Sequence, residues 1–253
     1  MKLYAIFFSP TGGTRKVCQL LTSAWQQPAE EIDLSDSRRD FSAISLTAED
    51  ICVVAVPSFG GRVPPVAAQR LGQIQGGGAR AVFATAYGNR AFEDTLTELE
   101  DVLKAAGFRC DAAVAAVAEH SIMHQFAAGR PDARDKEQLE DFSRQICSHL
   151  EGGAPGEPAV PGNRPYKELH TIPMVPQTLD TCNRCGICAS LCPVQAIPAA
   201  TPEHTDPQLC ISCMRCVQVC PQHARRVAPE ILAATSRKLE AVCSQPKENQ
   251  LFL

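Results

Sequence analysis

Two cysteine runs, CNRCGICASLCP beginning at residue 182 and CISCMRCVQVCP beginning at residue 210, constrain this chain more than any other feature. Each reads C-x2-C-x2-C-x3-C-P, and every cysteine of the second run lies 28 residues after its counterpart in the first. A structural zinc site normally uses two C-x2-C pairs. Three closely spaced thiolates instead suit three corners of an iron-sulfur cube, with the fourth cysteine, followed by proline, directed to the other cube. The spacing assigns Cys182, Cys185, Cys188 and Cys220 to one 4Fe-4S cluster, and Cys210, Cys213, Cys216 and Cys192 to a second. A unit this small has little apolar core, so bound metal is expected to supply much of its folding free energy. The other cysteines, Cys18, Cys52, Cys110, Cys147 and Cys243, lack paired spacing and read as small buried hydrophobes.

Residues 178–228 resemble the bacterial two-cluster 4Fe-4S ferredoxins, and the resemblance implies a one-electron relay with low-potential clusters. The whole chain, 253 residues, has room for one medium domain and one small one. It is 45% apolar and 21% charged, the balance of a globular protein rather than a disordered one. A net charge of -4 gives no electrostatic reason to expect nucleic acid as a partner. No stretch approaches the ~20 apolar residues that span a bilayer. The opening KLYAIFF run is too short for a signal-peptide core and no small-residue cleavage site follows it, so a cytoplasmic location is expected. In a reducing compartment, thirteen cysteines point to metal or redox work rather than to disulfides.

Residues 1–150 alternate strand-like and helix-like segments. Strands are expected at 3–8, 30–34, 51–56, 79–86 and 111–120, with helices at 14–25, 92–107 and 132–150. This pattern predicts a doubly wound parallel five-stranded α/β sheet of order 2-1-3-4-5, covered on both faces, followed by the small two-cluster domain. Between them, residues 151–177 are rich in proline and glycine and read as a linker or a strap lying over a surface. Residues 229–253 form a tail expected to be partly helical.

The first strand runs into SPTGGTRK, a loop of hydroxyls and glycines before a helix. It lacks the G-x4-G-K-[ST] spacing of a nucleoside-triphosphate loop. It matches the [ST]-x-T-G-x-T pattern of flavodoxins, with Ser9, Thr11, Gly12 and Thr14 in register and Gly13 between them. Hydroxyls, loop N–H groups and a helix N-terminus together suit a monophosphate, hence FMN. Ligands of such a sheet bind where the strand order reverses, so PSFGGRVPP (57–65) and YGNRAFED (87–94) are expected to flank the flavin ring. The candidate residues there are Ser58, Phe59, Gly60, Gly61, Arg62, Tyr87, Gly88, Asn89 and Arg90. Phe59 or Tyr87 would stack on the ring, and Arg62 and Asn89 would bond its O2/N3 side. His120, expected at the end of the fifth strand, reads equally as a cofactor neighbour and as a core histidine, and His124 as a helix-surface residue.

Taken in order, SPTGGT, PSFGGRVP, YGNR, EHS and the doubled cysteine run resemble the bacterial and archaeal proteins in which a flavodoxin-like domain is fused to a two-cluster ferredoxin, the EFR1-type ferrodoxins. That resemblance implies electron transfer between FMN and two 4Fe-4S clusters, with unidentified redox partner proteins as donor and acceptor. Two alternatives stay open: an FMN-dependent oxidoreductase fed by the clusters, and a ferredoxin whose flavodoxin-like domain has lost FMN and serves for docking.

Overall fold

The computed structural model describes residues 1–152, 156–169 and 174–253. Residues 153–155 and 170–173 of the expected linker lie outside the described residues. In chain order the elements are β1 (Leu3–Phe7), α1 (Gly13–Leu21), β2 (Glu30–Asp33), β3 (Ile51–Pro57), α2 (Pro65–Leu71), β4 (Arg80–Tyr87), α3 (Thr95–Ala105), β5 (Arg109–Val117) and α4 (Ala133–Glu151). The cysteine-rich part follows with β6 (Gln177–Thr178), α5 (Ile187–Ser190), α6 (Arg215–Gln218) and β7 (Arg225–Arg226), and the chain closes with α7 (Pro229–Cys243) and β8 (Gln250–Phe252).

The first five strands are parallel in the order β2-β1-β3-β4-β5, the flavodoxin-like arrangement. Helices cover both faces, which is why all five residues of β1 are buried. Alternation divides its side chains: Leu3, Ala5 and Phe7 join Val17, Leu21, Leu139 and Ile146 on the side of α1 and α4. Tyr4, Ile6 and Phe8 join Leu71, Leu96, Leu99 and Leu103 on the side of α2 and α3.

Three local expectations change. The first helix stops at Leu21 rather than 25. The fifth strand stops at Val117, so His120 lies in the turn that follows, and His124 is exposed on that turn rather than on a helix. The sheet gains a sixth strand, β8, which pairs antiparallel with β5 through Ala113–Phe252, Val114–Leu251 and Ala115–Gln250. The terminal segment thus covers an edge that a five-stranded sheet would leave open. Asn249 anchors it: its carbonyl accepts the Val117 N–H at 2.8 Å and its amide donates to Asp135 at 2.9 Å, beside the capping box that starts α4.

Residues 156–169 run as a strap along α3. Asp94, buried at the start of that helix, accepts the Asn163 and Lys167 backbone N–H groups at 2.8 and 2.7 Å, and Arg164 pairs with Asp101. Proline-rich chain has few backbone donors for regular structure, so side chains of the helix hold it.

Candidate functional site

The cysteine-rich part folds as two copies of one loop. Left-handed backbone recurs at Arg184 and Ser212, at Gly186 and Met214, and at Gln195 and His223, each pair 28 residues apart. Met214 adopts at φ 61° what Gly186 adopts at 75°, so the loop dictates the turn even where a side chain opposes it. The turns aim backbone donors at sulfur. Ala196 N–H donates to Cys192 Sγ at 3.3 Å, its counterpart Ala224 N–H donates to Cys220 Sγ at 3.2 Å, and Arg184 N–H donates to Cys182 Sγ at 3.4 Å.

Two cavities, each partly open to solvent, lie in this part. Cys182, Cys185, Cys188 and Cys220 line the first, and Cys192, Cys210, Cys213 and Cys216 the second, so each run sends its fourth cysteine to the other run's cavity. Neither lining includes a carboxylate or an imidazole, and among the described residues no three Cys, His, Asp or Glu side chains gather around a single-ion site. Four soft sulfurs around each cavity, not drawn together into a single-ion site, fit a 4Fe-4S cube. Burial pushes the Cys213 thiol up to about 12 and the Cys216 thiol up to about 11, with Arg225 acting against the second shift. Bare thiolates are therefore costly here, and metal binding must release their protons.

At the sheet edge, the loop after β1 keeps an open cradle. Ser9 organises it: its hydroxyl accepts the Arg15 N–H at 2.9 Å and its own N–H donates to Ser35 Oγ at 3.1 Å. Gly12 is left-handed at φ 94°, and a Cβ added there would meet nothing within 4 Å. Thr11 and Gly13 are half-buried and Thr14 is buried at the start of α1. Backbone N–H groups at a helix N-terminus beside open space fit a phosphate.

The loops after β3 and β4 are closed by the chain itself. Arg62 forms a two-pronged pair with Glu98 at 2.7 and 2.8 Å, donates to the Lys167 carbonyl and stacks on Tyr166, so it ties the strap to α3. A Cβ on Gly61 would lie 1.8 Å from the Glu93 carboxylate, which pairs with Arg90 and Lys167. Gly88 likewise admits the His120 ring, whose Nδ1 accepts the Ile122 and Met123 N–H groups. Tyr87 is buried, edge-on to Phe92, and the Asn89 amide is engaged by the C-terminal tail. The side-chain groups expected to meet a flavin's O2/N3 side thus make intrachain bonds. Ser58 bonds Thr95 Oγ1 at 2.8 Å, while Phe59 is half-buried beside Phe8 and, with Gly60, borders the open side of this edge.

The cysteine-rich part docks against the same edge. Arg215 donates to the Pro10 carbonyl at 3.0 Å, Arg70 donates to the Pro193 carbonyl at 2.6 Å, and Ile211 packs with Phe59 against the α2/α3 side of the core. Sequence reasoning passed over Arg215 and Arg225. Laying one half of the repeat on the other would have found them, because Ile187 and Ile197 stand at the matching positions.

Residues 181–224 match the family model of the 4Fe-4S dicluster domain. A comparison with curated proteins gives no match. Among solved structures, the chain is similar to the rubredoxin oxygen:oxidoreductase of Desulfovibrio gigas, with a TM-score of 0.41 and 17% identity over 59% of this chain, spanning 37% of that one. A short-chain flavodoxin associated with a PDU bacterial microcompartment gives a TM-score of 0.43 and 17% identity, covering 58% of this chain and 98% of its own. The flavodoxin of Streptococcus pneumonia TIGR4 gives 0.41 and 17%, covering 58% and 99%. Sheet order and family match together identify a flavodoxin-like α/β fold followed by a C-terminal 4Fe-4S dicluster domain.

Proposed function

We propose that the protein is an electron-transfer protein holding two 4Fe-4S clusters and FMN, of the EFR1-type fusion that its sequence resembles. The crossed lining of the two cavities carries this reading, since it gathers eight cysteines into two sets of four sulfur donors. When bound, the clusters supply one-electron chemistry and the flavin links it to two-electron chemistry. The chain's own contribution is position. Cys182, Cys185, Cys188 and Cys220 would hold one cluster, and Cys192, Cys210, Cys213 and Cys216 the other. Thr11, Gly12, Gly13 and Thr14 would hold the phosphate, with Phe59 and the backbone of Ser58 and Gly60 on the ring side.

The second cavity is the inner one, because Arg215 and Ile211 fasten its loop to the sheet edge. The first faces outward, with Cys185 exposed and Ile187 37% exposed beside it, and this is the face a redox partner protein would meet. Among the described residues no helix is long and apolar enough to cross a membrane.

Anaerobic purification followed by iron, sulfide and flavin analysis tests the reading. About eight irons and eight sulfides are expected per chain. Thr11→Ala with Thr14→Ala should weaken FMN binding by about 1.5–3 kcal/mol per lost bond while leaving iron unchanged. Zinc in place of iron would remove the cluster half of the proposal. A chain with full iron and no affinity for FMN would remove the flavin half and leave a docking domain.

A further inference from the structure

Arg225 is the one charged residue buried within the described part of the cysteine repeat, 3% exposed, and its counterpart 28 residues earlier is the equally buried Ile197, at 4%. Its Nη1 donates to Thr205 Oγ1 at 2.7 Å and its Nη2 donates to the Pro202 carbonyl. Its Nε is buried and has no hydrogen-bond partner. Among the described residues no carboxylate pairs with it; the nearby Glu203 pairs with Arg184 instead. A buried cation to which no carboxylate is bonded is unfavourable, so negative charge held in the adjoining cavity would stabilise it.

Its position says what that is. Arg225 and Pro202 line the first cavity, whereas Thr205 lines the second, so the guanidinium bonds to residues of both. Ile197, its counterpart, lines the second cavity, where Arg215 is the arginine, and Ile187, the counterpart of Arg215, lines the first. The repeat thus gives each cavity four sulfur donors, one isoleucine and one arginine at these positions, and Arg225 is the arginine of the first.

We propose that Arg225 is a positioned cation shared by the two clusters, which makes both easier to reduce and the cluster of the first cavity most of all. This rests on the reading that the two cavities hold clusters. Reduction adds one electron to a cluster and makes or breaks no bond, so the fixed charge acts only on the energy of the added electron. Arg225 lines the first cavity and not the second, so the effect is larger at the first.

The test is a mediator-buffered redox titration of the full-length, anaerobically purified protein, followed by electron paramagnetic resonance after iron and sulfide have been counted. The first-cavity signal is identified as the one altered by Cys185→Ser. Arg225→Met should lower the reduction equilibrium of that cluster at least tenfold, about 59 mV for a one-electron couple, and that of the other cluster by less. Arg225→Lys keeps the charge and should stay within threefold of the parent. Thr205→Val removes a bond that merely positions the guanidinium, and it too should titrate like the parent.

A fully loaded Arg225→Met protein that titrates as the parent does would overturn the assignment, as would a Thr205→Val shift equal to the methionine one. If the methionine variant does not load, the lysine variant decides. Parent-like titration supports the charge, and either a tenfold drop or loss of iron from that variant makes Arg225 a packing residue. A parent protein without eight irons fails at the earlier step and speaks against the clusters themselves.

Discussion

The side-chain amide of Asn89 donates to the carbonyls of Cys243 and Gln245, at 2.5 and 2.9 Å, while its carbonyl accepts the Lys247 N–H at 3.1 Å. One buried residue in the loop after β4 therefore fastens the C-terminal tail across the end of the sheet. Replacing it with alanine leaves two carbonyls, that of Cys243 buried, and one N–H without partners, at about 1–3 kcal/mol each in full and less where water enters. Asn89→Ala should lower the opening free energy of residues 245–253 by about 2–4 kcal/mol. Amide hydrogen exchange of β8 reads this directly, and undiminished protection there would show that β5 pairing alone holds the tail.

Cys192 belongs to the first cysteine run and lines the cavity of the second. Cys192→Ser should therefore disturb the same paramagnetic signal as Cys213→Ser, and Cys220→Ser the same signal as Cys185→Ser. An uncrossed arrangement would pair the variants the other way. Each single serine substitution replaces a soft sulfur by a harder oxygen, so partial loss of about four irons is the expected analytical result.

The parallel sheet and the crossed cysteines were legible because each has a strong local signature. ICVVAV at 51–56 reads as a buried strand, and C-x2-C-x2-C-x3-C-P sets its fourth cysteine apart from the first three, as the crossed linings of the two cavities do. β8 was not legible, because the half-exposed QLF of residues 250–252 has meaning only beside an edge that β5 leaves open. The intrachain contacts of the loops after β3 and β4 were not legible for a related reason. Glycine at 61 and 88 signals close approach, but sequence cannot say of what: at Gly61 it is Glu93, and at Gly88 it is His120. Arg62 and Asn89 have the right chemistry for a polar ring edge, and that chemistry serves equally well for a strap and a tail.

His120 has its proton affinity pulled down to about 4, first by burial and then by the neighbouring His124. A histidine in the unfolded chain takes up a proton near 6.5, so between about 6.5 and about 4 the unfolded state binds more protons than the folded one. Stability must then fall as pH falls through that window, level off below it, and be complete above it. The contribution is on the order of 3 kcal/mol. In His120→Asn an amide oxygen stands where Nδ1 accepts the Ile122 and Met123 N–H groups and cannot be protonated in this range. Unfolding midpoints measured from pH 7 to pH 4 should fall less steeply in that variant than in the parent. Parallel curves would mean that the acid sensitivity lies elsewhere.

Arg215 and Arg70 hold the cysteine-rich part to the sheet edge at two points, the carbonyls of Pro10 and Pro193. A charged donor on a backbone carbonyl contributes about 1.5–3 kcal/mol, so either bond alone can keep the contact largely formed. Arg215→Leu should raise hydrogen exchange in residues 9–14 by about tenfold to a hundredfold without lowering iron, since no sulfur donor is touched. Arg70→Leu should act on the other attachment, at residues 192–196, and also loses a stacking contact with Phe41. The two effects should be more than additive, because only the double variant leaves apolar contacts alone, Ile211 on the core and Ile122 on Met214 and Val227, to hold the part in place. Simple additivity would mean that the two contacts open independently, and that the cysteine-rich part does not swing from the edge as a unit.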